Sequence, residues 1–162
     1  MESKEIKIIN LQEIAKLLND RGITLEDVQE AILSGESTGR KFYRDDDEHR
    51  FLVKERIGKF TVYAEYSPNK DAFILQTAYA HRVMIDSDVM IDETKQGGHR
   101  AEWICYSCQV GVEEVDNIGL HYNEVELPEI MGYRCPKCKT EMLSENIVMT
   151  MLFVAEMMLE AK

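Results

Sequence analysis

The sequence predicts an α+β protein in which a two-helix and antiparallel-sheet domain precedes a small domain built around four cysteines. Apolar residues recur at helical spacing before residue 35 and alternate with polar ones between about residues 40 and 80. All four cysteines follow residue 100, in two Cys-x-x-Cys motifs. We expect one domain over residues 1–92 and another over 100–162, separated by the polar, glycine-containing stretch DETKQGGHR.

Two helices are predicted after a short strand at residues 5–9. Asn10 suits an N-cap with Glu13 as its capping-box partner, and Gly22 is expected to end that helix. A second helix opens at Thr24, with Asp27 in the capping-box position, and is expected to stop at Gly35.

The alternating segments predict an antiparallel sheet. RFLVKERI (50–57) and FTVYAEY (60–66) flank a hairpin turn at Gly58-Lys59, and AFILQTAYA (72–80) follows a turn over 67–71. An earlier strand at 40–44, closed by an acidic turn at 45–48, is expected to pair with them. The segment 81–91 extends this sheet or wraps over it.

The second domain is predicted to fold around a hairpin between the two cysteine pairs. Strands are expected at 110–115 and 120–127, joined by a turn over 116–119, and Ser144 is expected to cap a final helix. Glu145 is then well placed against the positive end of that helix.

The cysteine spacing predicts a metal site formed by Cys105, Cys108, Cys135 and Cys138. Two cysteines separated by two residues can present both sulfurs to one ion, and the hairpin returns the second pair to the first. Arg134, Lys137 and Lys139 are placed to offset the charge of four thiolates. A redox dithiol usually opens a helix, which neither pair clearly does, so thiol redox chemistry and disulfides are the weaker alternatives.

Zinc is the expected metal, with iron in the same four-cysteine site as the alternative. The WICYSC and GYRCPKC segments resemble rubredoxin, which has an aromatic residue before each cysteine pair and CP at the second. Rubredoxin carries glycine after each pair, whereas this chain has Gln109 and Lys139, which favours zinc. If the metal is zinc, a non-catalytic protein is expected. If it is iron, an electron-transfer protein serving a metal-dependent oxidoreductase is expected.

The C-terminal residues 105–162 resemble the YgiT-type zinc finger of MqsA-like antitoxins. The shared order is Cys-x-x-Cys, two strands with LHY (120–122) in the second, CPxC and an acidic helix start. RCPKCK, SENIV and EMMLEAK also resemble a group of small proteins labelled redox proteins and encoded beside molybdenum hydroxylases. These resemblances imply a metal-binding module and leave its activity open.

The N-terminal half resembles small RelE-like domains through RGITLEDVQEAILSGE and the three strands after it. RelE-type toxins cleave messenger RNA with basic and tyrosine side chains. The resemblance therefore nominates a set of sheet residues, Lys54, Arg56, Tyr63, Tyr79, His81 and Arg82. The acidic charge of the domain and the NLQEIAKLL entry to its first helix favour a RelE-like fold without nuclease activity, and a toxin–antitoxin-derived, RNA-related protein is the further alternative.

The histidines are not expected to bind the metal, because four cysteines complete a tetrahedral shell. His99 and His121 flank the cysteines and are expected at the surface or in packing. His49 and His81 are expected at the surface or the sheet edge.

The C-terminal helix is predicted to bury more than one face. Between residues 147 and 159 only Thr150 and Glu156 are polar, and the run is too short to span a bilayer. Its surroundings are either the two halves of this chain or a protein partner, which is another copy or a different subunit. The methionines of the run suit an adaptable interface.

The bulk composition predicts a cytoplasmic protein that does not bind nucleic acid or membranes. The formal net charge is −11, so the positive surface that a phosphate backbone requires is missing from the composition. The N-terminal MESKEIKIIN lacks the apolar stretch of a signal peptide.

Overall fold

The computed structural model describes residues 6–86 and 102–160. Two helices precede ten strands, and a C-terminal helix closes the chain with two α-helical parts around a π-helical segment. The helices are α1 (Leu11–Asp20), α2 (Leu25–Thr38), α3 (Glu145–Ile147), the π-helical segment (Val148–Leu152) and α4 (Phe153–Glu160). The strands are β1 (Lys41–Arg44), β2 (Asp47–Ile57), β3 (Phe60–Asn69), β4 (Ala72–His81), β5 (Met84–Asp86), β6 (Trp103–Cys105), β7 (Val110–Gly111), β8 (Glu113–Tyr122), β9 (Val125–Arg134) and β10 (Glu141–Met142).

The strands form two antiparallel sheets, which confirms the predicted α+β class. The larger sheet has the order β4-β3-β2-β1-β6-β7, and the smaller has the order β10-β9-β8-β5. The two halves of the chain exchange strands: β6, from the cysteine half, pairs with β1, and β5, from the first half, pairs with β8. The division into domains at 1–92 and 100–162 stays a prediction, and the linker 92–100 lies outside the described residues.

The helix boundaries follow local sequence signals with two exceptions. Thr24 and Asp27 form the predicted capping box. Asn10 precedes α1 but does not cap it; its side chain exchanges two hydrogen bonds with the backbone of Leu75 in β4. The prediction that α2 stops at Gly35 was wrong, because α2 continues to Thr38 and a Cβ on Gly35 would overlap Val53. Gly35 therefore allows the close approach of α2 and β2.

The first hairpin is confirmed and the predicted second one is wrong. Gly58 adopts φ +60° between β2 and β3. The residues 116–119, expected to form a turn, lie inside β8, where the pairing with β9 shifts register. The actual turn is at Asn123-Glu124, and Asn123 supplies the left-handed φ of +53°. The turn-like residues of 116–119 thus produce an irregularity within one long strand.

The six-stranded sheet is covered on both faces. On one face α1 and α2 pack over alternating β-strand residues such as Val53, Val62 and Leu75. On the other face Leu52, Tyr63 and Tyr79 pack against the cysteine half, in a core completed by Ile118, Leu120, Met142, Leu143, Val148 and Leu152. Because alternate residues of a strand point to opposite faces, β2, β3 and β4 contribute to both cores.

The C-terminal helix packs one of its faces against the chain, and its π-helical segment contacts β4. Ser144 caps it as predicted, with its side chain accepting a hydrogen bond from the N–H of Ile147. Glu145 pairs with Arg21 at 2.5 Å, and Glu156 accepts hydrogen bonds from the backbone N–H groups of Arg82 and Val83. Within the described residues no helix has the length and apolar content needed to cross a membrane.

Candidate metal centre

Each Cys-x-x-Cys motif forms the same tight turn, which we call a cysteine knuckle. In the first, at the end of β6, the N–H of Gln109 donates to the carbonyl of Cys105 at 2.8 Å. In the second, after β9, the N–H of Lys139 donates to the carbonyl of Cys135 at 3.0 Å. Gln109 and Lys139 have φ values of +56° and +66°. Both knuckles therefore have the left-handed backbone that glycine adopts most easily, although neither residue is glycine.

The sheets bring the knuckles together. Cys105 lies opposite Phe42 in the pairing of β6 with β1, which fixes the first knuckle on the six-stranded sheet. The long hairpin of β8 and β9 returns the chain, and the N–H of Cys135 donates to the carbonyl of Thr140 at 2.9 Å, which closes the second knuckle. The hairpin differs from the predicted one in length, yet it fulfils the predicted role.

The four sulfur atoms have the spacing of a metal-binding cluster. The Sγ atoms of Cys105, Cys108, Cys135 and Cys138 all lie within 4.8 Å of one another, and no disulfide joins them. Cys105 Sγ and Cys138 Sγ are 3.8 Å apart. A tetrahedron with metal–sulfur distances of about 2.3 Å has sulfur–sulfur edges of about 3.8 Å. The cluster is thus a four-cysteine site that could hold one metal ion, and it is the only such His, Cys, Asp or Glu group among the residues that the structure describes.

The thiols influence each other's ionisation. Burial raises the pKa of Cys105 to about 12, and burial also raises the pKa of Cys108. Burial acts in the same direction on Cys138, but hydrogen bonds with Thr140 and with neighbouring thiols outweigh it and lower the pKa of Cys138 to about 6. The Cys138 thiolate therefore forms readily, while Cys105 and Cys108 keep their protons. A divalent ion reverses this preference, because it binds thiolates and displaces the protons.

Of the three cations predicted to offset the thiolate charge, Lys137 and Lys139 belong to the second knuckle, whereas Arg134 is already paired, and Lys54 is an additional neighbour that the sequence did not indicate. Arg134 is buried and pairs with Glu141 at 2.8 Å, and it also donates to the side chain of Asn117 at 3.0 Å. Its charge is therefore already compensated. Lys54, from β2, reaches the carbonyl oxygen of Glu141, and burial lowers the pKa of Lys54 to about 8, although Glu141 and Cys138 act to raise it. No local signal marked Lys54 as a neighbour of a site that begins about fifty residues later.

The six residues that the resemblance to RelE-like domains nominated lie on, or directly beside, the face of the six-stranded sheet that packs against the cysteine half. Tyr63 and Tyr79 are buried and stack with ring centroids 4.5 Å apart. The hydroxyl of Tyr79 donates to the carbonyl of Leu143 at 2.8 Å, and the N–H of Leu143 donates to the hydroxyl of Tyr63 at 3.3 Å. The cysteine half of the chain therefore covers these tyrosines, and substrate does not reach them in this arrangement.

The remaining candidates of that set, Lys54, Arg56, His81 and Arg82, are also engaged with the protein. Lys54 contacts Glu141 as described, Arg56 donates to Thr61 at 3.0 Å, and Arg82 pairs with Glu160. His81 is buried, with Nε2 3.1 Å from the Tyr63 hydroxyl and Nδ1 2.7 Å from the carbonyl of Val83. His81 ends β4, an edge strand of the larger sheet, so the sheet-edge alternative is confirmed. The surface alternative was wrong, because His81 is buried, and local sequence does not show that the cysteine half covers this face.

The other histidines stand apart from the cysteines. His49 is exposed beside Glu48, and His121 contacts Asp86 across the pairing of β8 with β5. His99 lies outside the described residues. None of the described histidines belongs to the sulfur cluster.

Comparison with known proteins identifies only the second half of the chain. Residues 101–162 match a family described as a domain of unknown function, DUF7479. No curated protein matches the chain, and no solved structure matches it. The match spans the whole region from β6 to the end of the C-terminal helix and carries no functional assignment.

Proposed function

We propose that this chain is a non-catalytic, zinc-stabilised accessory protein that associates through its C-terminal helix. The observation that carries the proposal is the closed set of four sulfur atoms within 4.8 Å of one another. Four protein ligands fill the tetrahedral shell of zinc and leave no position for water or substrate, which is the arrangement of structural rather than catalytic zinc.

Zinc in this site stabilises the contact between the two halves of the chain. The first knuckle belongs to the larger sheet through the pairing of Cys105 with Phe42, whereas the second continues β9 of the smaller sheet. An ion bound by both knuckles therefore joins the two sheets. Binding free energy at such a site is folding free energy, so the metal-free chain is expected to be markedly less stable.

The test is metal content combined with thermal unfolding of the full chain. We expect one zinc per chain, and a chelator is expected to lower the melting temperature by more than 10 °C, roughly the shift for a few kcal/mol in a chain of this size. Cys135→Ser is the matched variant, since it removes one buried ligand and changes a single atom. Equal melting temperatures with and without metal would contradict a structural role.

The association surface is an exposed apolar stripe on the C-terminal helix. Val148 and Leu152 are buried, and the Glu156 carboxylate accepts hydrogen bonds from the backbone N–H groups of Arg82 and Val83, just after β4. The opposite side of the helix exposes a set of large apolar residues that we call the docking stripe, Met151, Phe153, Val154, Met157 and Met158, which are 51–66% exposed. Such a contiguous exposed patch marks an interaction surface.

The occupant that the charges favour is a second copy of this chain. The docking stripe contains no ionisable residue, so two copies that each carry a net charge of −11 can pack there without placing acidic side chains of the stripe against each other. The neighbouring acids Glu145 and Glu160 pair with Arg21 and Arg82 of the same chain, which reduces the attraction of this surface for a basic partner. A helix stripe packed on itself about a two-fold axis is self-complementary.

Light scattering after size exclusion tests this part of the proposal. The metal-bound full chain is expected to be a dimer, and Met158→Glu is expected to make it a monomer with unchanged metal content. Met131→Glu is the matched control, because Met131 is an exposed methionine (49%) on β9, away from the stripe. A monomeric parent chain, or a dimer that both substitutions leave intact, would contradict the second-copy assignment; capture of a different protein by the stripe would replace it.

A second candidate function, one-electron transfer by iron in the same site, is favoured by the backbone of the knuckles. Gln109 and Lys139, at the positions where rubredoxin carries glycine, adopt the left-handed conformation that glycine favours, so their identity does not distort the turn. Aerobically purified protein distinguishes the two metals, because an iron–sulfur chromophore absorbs visible light and zinc does not. One zinc per chain, together with the absence of reversible reduction, would contradict one-electron transfer by iron at this site.

A further inference from the structure

A cleft of about 560 Å³ lies beside the sulfur cluster, between the larger sheet and both knuckles. Its lining comes from β1, β2, β5 and the knuckles, including Cys105 and Cys138 at one side. The volume is in the range of sites that hold small organic molecules. The proposed structural role of the metal does not use this space.

The cleft is cationic although the chain is strongly acidic. Arg40, Lys41, Lys54 and Arg56 line it, together with one acidic residue, Glu55. Lys41 is already paired with Glu36 at 3.1 Å. The carboxylate of Glu55 accepts a hydrogen bond from Ser34 of α2 and is thereby already engaged. Apart from the two cysteines of the cluster, the lining therefore carries an excess of positive charge in a chain whose net charge is −11.

Two of these cations keep unused donors. Arg56 employs only Nη1, which donates to Thr61 Oγ1 at 3.0 Å and to the carbonyl of Arg82 at 3.2 Å. Its Nε and Nη2 have no hydrogen-bond partner among residues 6–86 and 102–160, and the charge of the Glu156 carboxylate acts on the guanidinium without a hydrogen bond. Arg40 is exposed at the cleft and forms no ion pair within the same residues. Lys54 is engaged with the carbonyl of Glu141 and lies near Cys138, so it offsets the charge of the cluster.

The opposite part of the lining is apolar. Phe42, Met84 and Ile85 contribute to it, and Met84 is 37% exposed. Guanidinium groups bind carboxylate and phosphate through paired hydrogen bonds, and apolar walls bind the carbon portion of a ligand. The cleft thus combines the two kinds of contact that an organic anion needs.

We propose that this cleft binds a small organic oxyanion, whose carboxylate or phosphate group pairs with Arg56 and Arg40 and whose apolar portion contacts Met84 and Ile85. The inference is independent of the zinc assignment and of dimerisation. Because Cys105 and Cys138 line the cleft, a ligand bound there lies next to both knuckles, and its binding is expected to affect the metal centre.

Titration of the metal-bound full chain with phenyl phosphate, benzoate and inorganic phosphate tests the proposal, with arginine side-chain N–H signals as the NMR readout. We expect saturable shifts of the Arg56 signal, with phenyl phosphate or benzoate binding more tightly than inorganic phosphate. The stronger of the two aromatic probes identifies the anionic group as phosphate or carboxylate.

The variants decide whether the cleft is responsible. Arg56→Gln is expected to weaken binding about tenfold or more, the loss typical of a charge-assisted pair. Arg40→Gln, at an exposed position where folding is unaffected, is expected to weaken it as well. Lys16→Gln is the control, since it removes the same charge from an exposed position on α1. No saturable shift with any probe, or equal weakening by Lys16→Gln, would overturn the proposal.

Discussion

Protonation of His81 is predicted to destabilise the fold in mild acid. Burial lowers the pKa of His81 to about 4, and the positive charges of Lys54 and Arg56 act in the same direction, while the hydrogen bond to Val83 opposes them. With Nδ1–H donating to Val83, Nε2 accepts from the Tyr63 hydroxyl. A second ring proton would occupy Nε2, so the Tyr63 hydroxyl could no longer donate to His81. The same hydroxyl accepts a hydrogen bond from the N–H of Leu143, so this contact with the cysteine half would be disturbed as well.

The sign and size of the effect follow from proton linkage. The pKa of His81 is lower in the folded chain than in the unfolded chain, where it has the ordinary value of 6.5. Between pH 6.5 and 4 the unfolded chain therefore binds more protons, and the stability that neutral His81 provides is lost as the pH falls. The full loss below pH 4 is about 3 kcal/mol, and about 2 kcal/mol is already lost at pH 5.

Urea unfolding at pH 7.5 and pH 5.0 measures the effect by comparison with His81→Asn. The asparagine is neutral at both pH values, so contributions from carboxylates and from the metal site are shared by the two proteins and cancel. The parent chain is expected to lose about 2 kcal/mol more than His81→Asn over this interval. His49→Asn, at an exposed position, sets the baseline for removing an imidazole. Parallel losses in the parent and His81→Asn would refute the buried, neutral assignment.

Three other substitutions or measurements follow from the site and its supports. Lys139→Gly is expected to raise the free energy of unfolding by about 0.5–1 kcal/mol, because Lys139 is exposed and its φ of +66° suits glycine; urea unfolding that shows a decrease would contradict this. Gly132→Ala is expected to cost about 1–3 kcal/mol, because the new Cβ would lie 2.9 Å from Leu143 Cδ2 and 3.0 Å from a backbone oxygen; unchanged unfolding would contradict that packing. Metal binding at pH 7.5 is expected to release at least two protons, from Cys105 and Cys108, whose pKa values are raised; calorimetry in buffers of different ionisation enthalpy counts them, and a count of zero would contradict the thiol assignment.

The sequence predicted those features that depend on near neighbours in the chain. Thr24 and Asp27 cap α2, Gly58 forms the first turn, and the spacing of the cysteine pairs predicted their convergence. Each of these signals acts within a few residues, or through a hairpin that only has to return the chain to its start. The exact position of the second hairpin was not needed for the cysteine prediction.

Features that depend on distant packing could not be predicted in this way. Gly35 was predicted to end α2, but its missing side chain instead allows Val53 to approach the helix. That requirement arises only from the packing of β2 against α2, which the local sequence does not indicate. The contact of Lys54 with Glu141 and the burial of His81 were not predicted, because nothing near either residue in the sequence shows that the cysteine half covers that face of the sheet. The predicted surroundings of the C-terminal helix were likewise incomplete, since apolar content alone does not say which side packs internally.

The exposed side of the C-terminal helix is not explained by packing among the described residues. Among the described residues, Leu152 is buried and Met158 remains 66% exposed, so packing within residues 6–86 and 102–160 accounts for one side of the apolar run only. The other side is the basis of the proposed dimer.

Weighing the intact folded chain by native mass spectrometry tests the central claim most directly. We expect a mass greater than that of the polypeptide by one divalent ion per chain, with zinc as its identity by elemental analysis. Cys138→Ser is expected to bind that ion more weakly, since it removes one of the four sulfur ligands. A folded chain that carries no ion, and that melts at the same temperature with and without a chelator, would contradict the account.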